Sequence, residues 1–131
     1  MRAPDAVCES SPVRRTVLVV DDHAGFREMA RALAVSGGLE VVAEAADGAT
    51  ALTLCQQHHP DLVLLDIGLP DLDGFDVRRR MLEELDPPVV LLTSSRDAAA
   101  YGARLLGPEP IAFVPKDELS VAALVDLLAP D

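Results

Sequence analysis

The chain has 131 residues, with 11 lysines and arginines against 22 aspartates and glutamates, so its formal net charge at neutral pH is −11. A length of this order predicts one domain around a single hydrophobic core. The acidic balance, with a pI near 4.5, argues against a surface that binds nucleic acid or anionic lipid through phosphate contacts. It favours cations or basic partners instead.

The apolar runs of the sequence are too short for a membrane span, which needs about 20 consecutive apolar residues. The beginning of the chain combines prolines and acids without an apolar core, so we expect a flexible lead-in at 1–13 rather than a secretory signal. A cytoplasmic location follows from that expectation. The two cysteines, Cys8 and Cys55, lack metal-ligand spacing and are expected to be free thiols. The folded domain is expected at 14–131.

Short apolar runs alternate with segments of helical periodicity, which is typical of a parallel sheet wrapped by helices. Strands are predicted at 16–20, 40–45, 62–65, 89–92 and 111–114, and helices at 23–35, 49–58, 75–85, 97–106 and 119–128. Gly102 opposes helix formation in the fourth helical segment, and Asp117 and Ser120 are two candidate N-caps of the last helix. The pattern predicts an α/β fold: a doubly wound, flavodoxin-like sheet of five parallel strands in the order 2-1-3-4-5.

In such a sheet the functional site lies beyond the carboxyl ends of the strands. Those ends carry three carboxylates, a hydroxyl and an ammonium: Asp21, Asp22, Asp66, Thr93 and Lys116. Neighbouring carboxylates repel by roughly 1 kcal/mol per pair even in water, so the cluster needs a cation. Because the available donors are oxygens, the cluster predicts a Mg²⁺ site. Asp66 then suits a nucleophile toward a phosphoryl group, with Lys116 neutralising its oxygens and Thr93 donating a hydrogen bond.

Each of these residues alone has an ordinary structural explanation as a helix cap, a strand-end hydroxyl or a solvated lysine, so the prediction depends on their joint arrangement. Six further polar residues are predicted to be loop, cap or helix-terminal residues rather than ligands: Asp71, Asp73, Asp76, His23, His58 and His59. The pair Asp71 and Asp73 resembles a phosphatase motif, but it does not directly follow a strand. The sequence has no P-loop, dinucleotide-binding glycine motif or serine nucleophile elbow.

Together these segments resemble the receiver domain of bacterial two-component response regulators over residues 14–128. The matching stretches are 17–22, 62–66, 69–70 with 73–74, 92–94 and 113–116. The resemblance implies roles for seven residues. Asp66 is the phosphoacceptor and a Mg²⁺ ligand, Asp22 is a direct Mg²⁺ ligand, Asp21 is a second metal-site acid that acts largely through water, and Gly68 offers its backbone carbonyl to the ion. Thr93 and Lys116 contact the phosphoryl group, and Phe113 is the aromatic switch residue.

The chain also departs from the family pattern. Pro115 precedes Lys116, where many members have a proline after the lysine, so no cis peptide is expected there. The segment 98–110 lacks the usual Ala-Gly-Ala spacing. This departure counts against a regular fourth helix and against the signalling face that this helix usually forms. Gly68 and Ser95 are small, which indicates open access of water to the phosphate. The Asp-Asp-His triplet at 21–23 favours the branch that usually carries a helix-turn-helix output domain.

The resemblance implies a receiver that accepts a phosphoryl group from a histidine kinase or phosphotransfer protein, without multiple-turnover enzyme activity, as a monomer or a phosphorylation-dependent dimer. The length of 131 residues predicts a stand-alone receiver that signals to a separate output protein, and the acidic charge and short apolar runs predict no binding of nucleic acid or membrane by this chain. Two alternatives remain. One is a receiver-like interaction module that acts independently of phosphorylation, and the other is a Mg²⁺-dependent phosphohydrolase, for which 131 residues leave no room for a cap domain.

Overall fold

A computed structural model of the chain describes residues 15–96, 98–105 and 111–128. The predicted lead-in at 1–13, with Cys8, lies outside these residues. The strands are β1 (Thr16–Val20), β2 (Glu40–Ala45), β3 (Leu62–Asp66), β4 (Val89–Ser94) and β5 (Phe113–Pro115). The α-helices of the described part are α1 (Ala24–Ser36), α2 (Gly48–His58), α3 (Gly74–Met81) and α4 (Val121–Asp126).

The five strands form one parallel sheet in the order β2-β1-β3-β4-β5, which confirms the predicted order 2-1-3-4-5 and the doubly wound α/β fold. The central strand β3 is buried along its whole length, as expected for an unbroken apolar run with helices on both faces of the sheet. The register places Val20 of β1 beside Leu65, and Asp66 of β3 beside Thr93. The carboxyl ends of β1, β3 and β4 therefore meet at one edge of the sheet.

Successive side chains of a strand point to opposite faces of the sheet, and each face has its own core cluster. The face that packs against α1 and α4, the α1 face, buries Val17, Val19, Leu62, Leu64 and Leu91. The face that packs against α2 and α3, the α2 face, buries Leu18, Val20, Val63, Leu65 and Leu92. Continuing this alternation places Asp21, Asp66 and Thr93 on the α1 face. It places Ser94 on the α2 face, where Phe113 also packs.

The prediction of a helix at 97–106 is wrong. The described part of this segment instead forms two short 3₁₀ helices, Ala98–Ala100 and Gly102–Arg104. Gly102 lies in the left-handed region with φ 47°, which ends a right-handed helix. The N–H groups of Arg104 and Leu105 donate to carbonyls three residues back, as in a 3₁₀ turn. This segment therefore packs as a tight turn on the α2 face.

Helix α3 ends at Met81, four residues before the predicted end. After Met81 the backbone tightens, because the N–H groups of Glu83 and Glu84 donate to carbonyls three residues back. Val77 and Met81 are buried, whereas Leu85 is fully exposed. A further helical turn would thus have had no core surface to cover, and packing of an apolar face is what stabilises most short helices.

The carboxyl-terminal elements are also shorter than predicted. Strand β5 includes Pro115, which an edge strand tolerates because it needs fewer ladder hydrogen bonds. A 3₁₀ turn, Lys116–Glu118, follows it, and the predicted helix at 119–128 is the shorter α4. Of the two candidate N-caps, Ser120 is used, since its side chain accepts a hydrogen bond from the N–H of Ala123. The described residues contain no cis peptide bond.

Cys55 is a free thiol packed in the core of the α2 face, as predicted. Burial, and secondarily the negative charge of Glu84, raise the pKa of this thiol above its usual range. Because the thiolate is the reactive form, Cys55 is a packing residue rather than a nucleophile. Across the described residues, none of the helices has the length and apolar character needed to cross a bilayer.

Candidate functional site

The ends of β1 and β3 bring carboxylates together. Asp21 is completely buried and Asp66 is 4% exposed, whereas Asp22 lies at the surface. One ligand atom from each of Asp21, Asp22, His23 and Asp66 lies within 4.8 Å of the others. The three carboxylates that the sequence predicted to converge are therefore neighbours. Buried carboxylates at this separation repel strongly unless a positive charge lies among them.

The environment of Asp66 disfavours its ionised form. Burial is the largest cause that raises the pKa of Asp66, and the negative charges of Asp21 and Asp22 raise it further. A hydrogen bond from the Gly68 N–H to Asp66 Oδ1, 3.1 Å long, and the positive charge of Lys116 act in the opposite direction. The balance is a carboxylate whose negative charge is incompletely compensated.

Lys116 supplies a positive charge from the turn after β5. Its Nζ lies 2.6 Å from Asp21 Oδ2, in an ion pair without hydrogen-bond geometry, and 3.5 Å from Asp66 Oδ2. The ammonium also lies 4.7 Å from the ring centroid of Phe26 on α1, within the range of a cation–π contact. One ammonium faces three carboxylates, so these four groups together retain two negative charges in excess.

His23 is the N-cap residue of α1, which agrees with its predicted position at a helix end. Its Nδ1 lies 3.1 Å from Asp21 Oδ1 and 3.1 Å from Asp22 Oδ1, contacts that the sequence did not predict. Arg27, one turn further along α1, donates from Nη1 to the carbonyl oxygen of Asp21 at 2.6 Å. Both contacts fix the end of β1. In the sequence, the only indication that His23 and Arg27 belong to the site is their closeness to Asp21 and Asp22.

Thr93 lies beside Asp66 in the register and is completely buried. Its backbone carbonyl accepts a hydrogen bond from the N–H of Ile67 at 2.9 Å, which ties β4 to the loop after β3. Its hydroxyl Oγ1 has no hydrogen-bond partner among the described residues. A buried hydroxyl without a partner costs about 1–3 kcal/mol, so Thr93 offers a donor to any oxygen that enters the site.

The loop after β3 is tied to both neighbouring helices. Asp73 caps α3 by accepting from the N–H of Phe75 at 2.8 Å. Asp71 accepts from the N–H groups of Gly48 and Ala49, at 2.7 and 3.0 Å, at the start of α2. Asp73 is therefore a helix cap and Asp71 a loop acid, as predicted. Together these contacts fix the loop that follows Asp66.

Asp71→Asn is expected to destabilise the protein at neutral pH. The hydrogen bonds from Gly48 and Ala49 hold the pKa of Asp71 below its usual range. A group with a lowered pKa in the folded state stabilises that state above its ordinary pKa, and this contribution disappears as pH falls through the lowered value. Thermal unfolding should therefore show a lower midpoint for Asp71→Asn at neutral pH and convergence of the two proteins in acid. Glu40→Gln removes an exposed acid elsewhere in the domain, and its unfolding midpoint should match the wild type both at neutral pH and in acid.

An aromatic group lies on the α2 face next to the site. Tyr101 packs between Phe75 and Phe113, with ring centroids 5.9 and 5.7 Å away, and its hydroxyl shares a hydrogen bond with Ser94. Phe113, the predicted switch residue, is half-buried within this group. Tyr101 was missed at the level of sequence, because it lies in the segment predicted as a helix and no periodic pattern distinguishes it.

The fold and the site define a doubly wound α/β domain with a cluster of carboxylates at the carboxyl ends of its parallel strands. The family profile of the response regulator receiver domain matches residues 17–128. The chain therefore belongs to the receiver domain family of two-component response regulators, as the sequence resemblance predicted.

Individual relatives agree with this assignment. The "Probable transcriptional regulatory protein NarL" of Mycobacterium tuberculosis is 42% identical over 107 residues, which is 81% of this chain and 50% of that protein. The transcriptional regulatory protein DegU of Brevibacillus brevis is 32% identical over 111 residues, 84% of this chain and 47% of that protein. The chain thus spans about half the length of these curated relatives. The solved receiver domain of NarL from M. tuberculosis has a TM-score of 0.77 and 39% identity, and the match covers 89% of this chain and 95% of that one.

Proposed function

We propose that this chain is the phosphoacceptor of a two-component system. In this proposal Asp66 takes a phosphoryl group from a phosphohistidine of a histidine kinase or phosphotransfer protein, and the phosphorylated domain changes its interaction with an output partner. The observation that carries the proposal is the convergence of four groups at one edge of the sheet: the buried carboxylates of Asp21 and Asp66, the ammonium of Lys116 and the unpartnered hydroxyl of Thr93.

The residues present have the chemistry for this transfer. A carboxylate oxygen of Asp66 attacks the phosphorus, the bond from phosphorus to the donor nitrogen breaks, and the departing imidazole keeps the electron pair and takes a proton from solvent. The product is an acyl phosphate on Asp66. The ammonium of Lys116, 3.5 Å from Asp66 Oδ2, stabilises the charge on the phosphoryl oxygens. Thr93 donates to one of those oxygens and so gains the partner it lacks.

The donor set also fits Mg²⁺. Three of the four clustered groups, Asp21, Asp22 and Asp66, offer oxygen ligands, which Mg²⁺ prefers to the ring nitrogen of His23. The two negative charges that these carboxylates and Lys116 leave in excess match a dication. The three aspartates would hold the ion, together with the backbone carbonyl of Gly68 that the family resemblance adds. The ion, when bound, supplies positive charge to the incoming phosphoryl oxygens.

Asp66→Asn is expected to abolish phosphoryl uptake, because an amide oxygen is not a nucleophile toward phosphorus. After incubation with Mg²⁺ and acetyl phosphate, intact-protein mass spectrometry should show one added phosphoryl group on the wild type and none on the variant. Asp76→Asn removes the same charge from an exposed acid outside the site, and should be phosphorylated like the wild type. Equal labelling of the Asp66→Asn variant would show that Asp66 is not the acceptor.

The proposal extends to the setting of the protein. We place it in the cytoplasm, where histidine kinases present their phosphohistidine, as a monomer or a phosphorylation-dependent dimer that acts on an output partner. One observation favours the alternative of a phosphorylation-independent interaction module: two 3₁₀ turns replace the helix expected at 97–106. Equal affinity for the output partner with and without beryllofluoride, a phosphoryl mimic, would favour that alternative.

A further inference from the structure

Tyr101 connects the end of β4 to the surface of the domain. Its hydroxyl shares a hydrogen bond with the buried hydroxyl of Ser94, and its ring packs between Phe75 and Phe113. Ser94 Oγ also accepts a hydrogen bond from the N–H of Arg96 at 3.0 Å. Ser94 thus has two hydrogen-bond contacts, one to the turn that leaves β4 and one to Tyr101.

Ser94 directly follows Thr93, whose hydroxyl has no partner. The two side chains lie on opposite faces of the sheet, Thr93 toward the acidic site and Ser94 toward the aromatic group. They share one peptide unit, which is nearly rigid. Asp66 is the neighbour of Thr93 in the sheet register, so a displacement of the Thr93 backbone toward Asp66 also shifts Ser94 and strains its hydrogen bond to Tyr101.

On its outer side, the aromatic group joins a charged surface. The guanidinium of Arg104 lies 4.0 Å from the ring centroid of Phe75 and 3.0 Å from Asp73 Oδ2. Asp73 caps α3, and the side chain of Arg104 is half-exposed. Tyr101 is therefore connected through Phe75 to Arg104, a residue that a partner can contact.

We propose that Tyr101 is a positioning residue of the switch. Its hydrogen bond to Ser94 holds Phe113 and the turns at 98–104 in the resting arrangement, and occupation of the Asp66 site releases that bond. The inference rests on the proposed function, because it takes a phosphoryl group on Asp66 as the event that recruits Thr93. It adds a residue outside the expected set of Thr93 and Phe113.

The composition of the chain supplies a direct test. Tyr101 is the only tyrosine, and the chain has no tryptophan, so tyrosine emission reports on this side chain alone. Titration of the protein with beryllofluoride in the presence of Mg²⁺ should change the intensity of that emission. The same titration of Asp66→Asn should leave it unchanged. Calorimetry on the same samples measures binding of the mimic independently of Tyr101.

Removing the hydrogen bond should make the site easier to occupy. Tyr101→Phe keeps the ring and loses the hydroxyl, and Ser94→Ala removes the other partner. Each variant should bind beryllofluoride about three- to tenfold more tightly than the wild type, because that range corresponds to one hydrogen bond that no longer has to break. Ser94→Ala also removes the bond from the Arg96 N–H, so the double variant should match Ser94→Ala: the bond between Ser94 and Tyr101 is already absent there, and Tyr101→Phe should add nothing. Thr53→Val, which removes a hydroxyl bond within α2, should bind like the wild type.

The two proposals fail in different ways. If calorimetry detects binding to the wild type but the emission stays constant and Tyr101→Phe binds equally or more weakly, Tyr101 has no part in the switch and the proposed function stands. Additive effects of the two single substitutions would also overturn the inference. If the mimic does not bind, or binds equally to Asp66→Asn, the proposed function itself is wrong.

Discussion

Gly74→Ala is expected to lower the free energy of unfolding by about 2–3 kcal/mol, the upper range for overpacking of a core position. A Cβ at Gly74 would lie 2.6 Å from the Cα of Ile67 and 2.7 Å from the carbonyl oxygen of Asp66. Both contacts are backbone atoms, so a side-chain rotation cannot relieve them. The N–H of Gly74 also donates to the carbonyl of Ile67 at 3.0 Å, which holds the two segments together.

Denaturant unfolding of Gly74→Ala beside Gly25→Ala measures this effect. Gly25 lies on the exposed side of α1, and a Cβ there meets nothing within 4 Å. Alanine at Gly25 should therefore stabilise the protein by roughly 0.5–1 kcal/mol, the usual gain over glycine inside a helix. Because the clash in Gly74→Ala displaces the backbone of Asp66, this variant should also be phosphorylated by acetyl phosphate more slowly than the wild type. Equal stability of the two variants would contradict the close packing of α3 on β3.

Asp66→Asn is expected to stabilise the protein in the absence of divalent cations, by on the order of 1 kcal/mol at neutral pH. The substitution removes the cost of burying an ionised carboxylate, which is the largest cause of the raised pKa of Asp66, and it removes repulsion from Asp21 and Asp22; the lost attraction to Lys116 partly offsets the gain. Because the folded state raises the pKa of Asp66, ionisation of this carboxyl destabilises the wild type as pH rises through that raised value. The advantage of the variant should therefore shrink in acid, where the carboxyl of the wild type is protonated.

Addition of Mg²⁺ should reverse this order. At about 100 times its dissociation constant, a ligand that binds only the folded state adds about 2.7 kcal/mol. The wild type should gain this stability, whereas the variant, with one candidate ligand carboxylate replaced, should gain much less. Asp76→Asn serves as the matched control and should respond to Mg²⁺ like the wild type. Thermal unfolding of the wild type and both variants, with EDTA and with Mg²⁺, measures the stability that each gains from the ion. If Asp66→Asn gains as much as the wild type, the cation binds elsewhere.

The sheet and the carboxylate cluster could be predicted from the sequence because local patterns encode them. Runs such as 62–65 have no polar residue and are bounded by turn residues, which predicts a strand buried on both faces. Once the strands are parallel, their carboxyl ends share one edge, so Asp21, Asp66 and Thr93 are brought together by topology alone. Their predicted proximity required no knowledge of side-chain packing.

The remaining features depend on contacts between distant residues. The end of α3 is set by whether Leu85 finds a surface to cover, and that surface exists only in the folded domain. The turns at 98–104 follow from the positive φ of Gly102, whereas the sequence showed only that a glycine was there. The place of Tyr101 between Phe75 and Phe113 joins three elements that are separated along the chain. Local periodicity carries no information on such a contact.

The alternation of Thr93 and Ser94 across β4 has a consequence for how such proteins diverge. In the proposed function, the residues that contact the phosphoryl group lie on one side of the sheet, and the residues that report its presence lie on the other. On that proposal, substitutions around Asp21 and Lys116 alter how long a signal persists without altering which partner receives it. Changes around Arg104 and Phe75 can redirect the signal while its duration is preserved. A single peptide unit between the two sides allows timing and recipient to evolve separately.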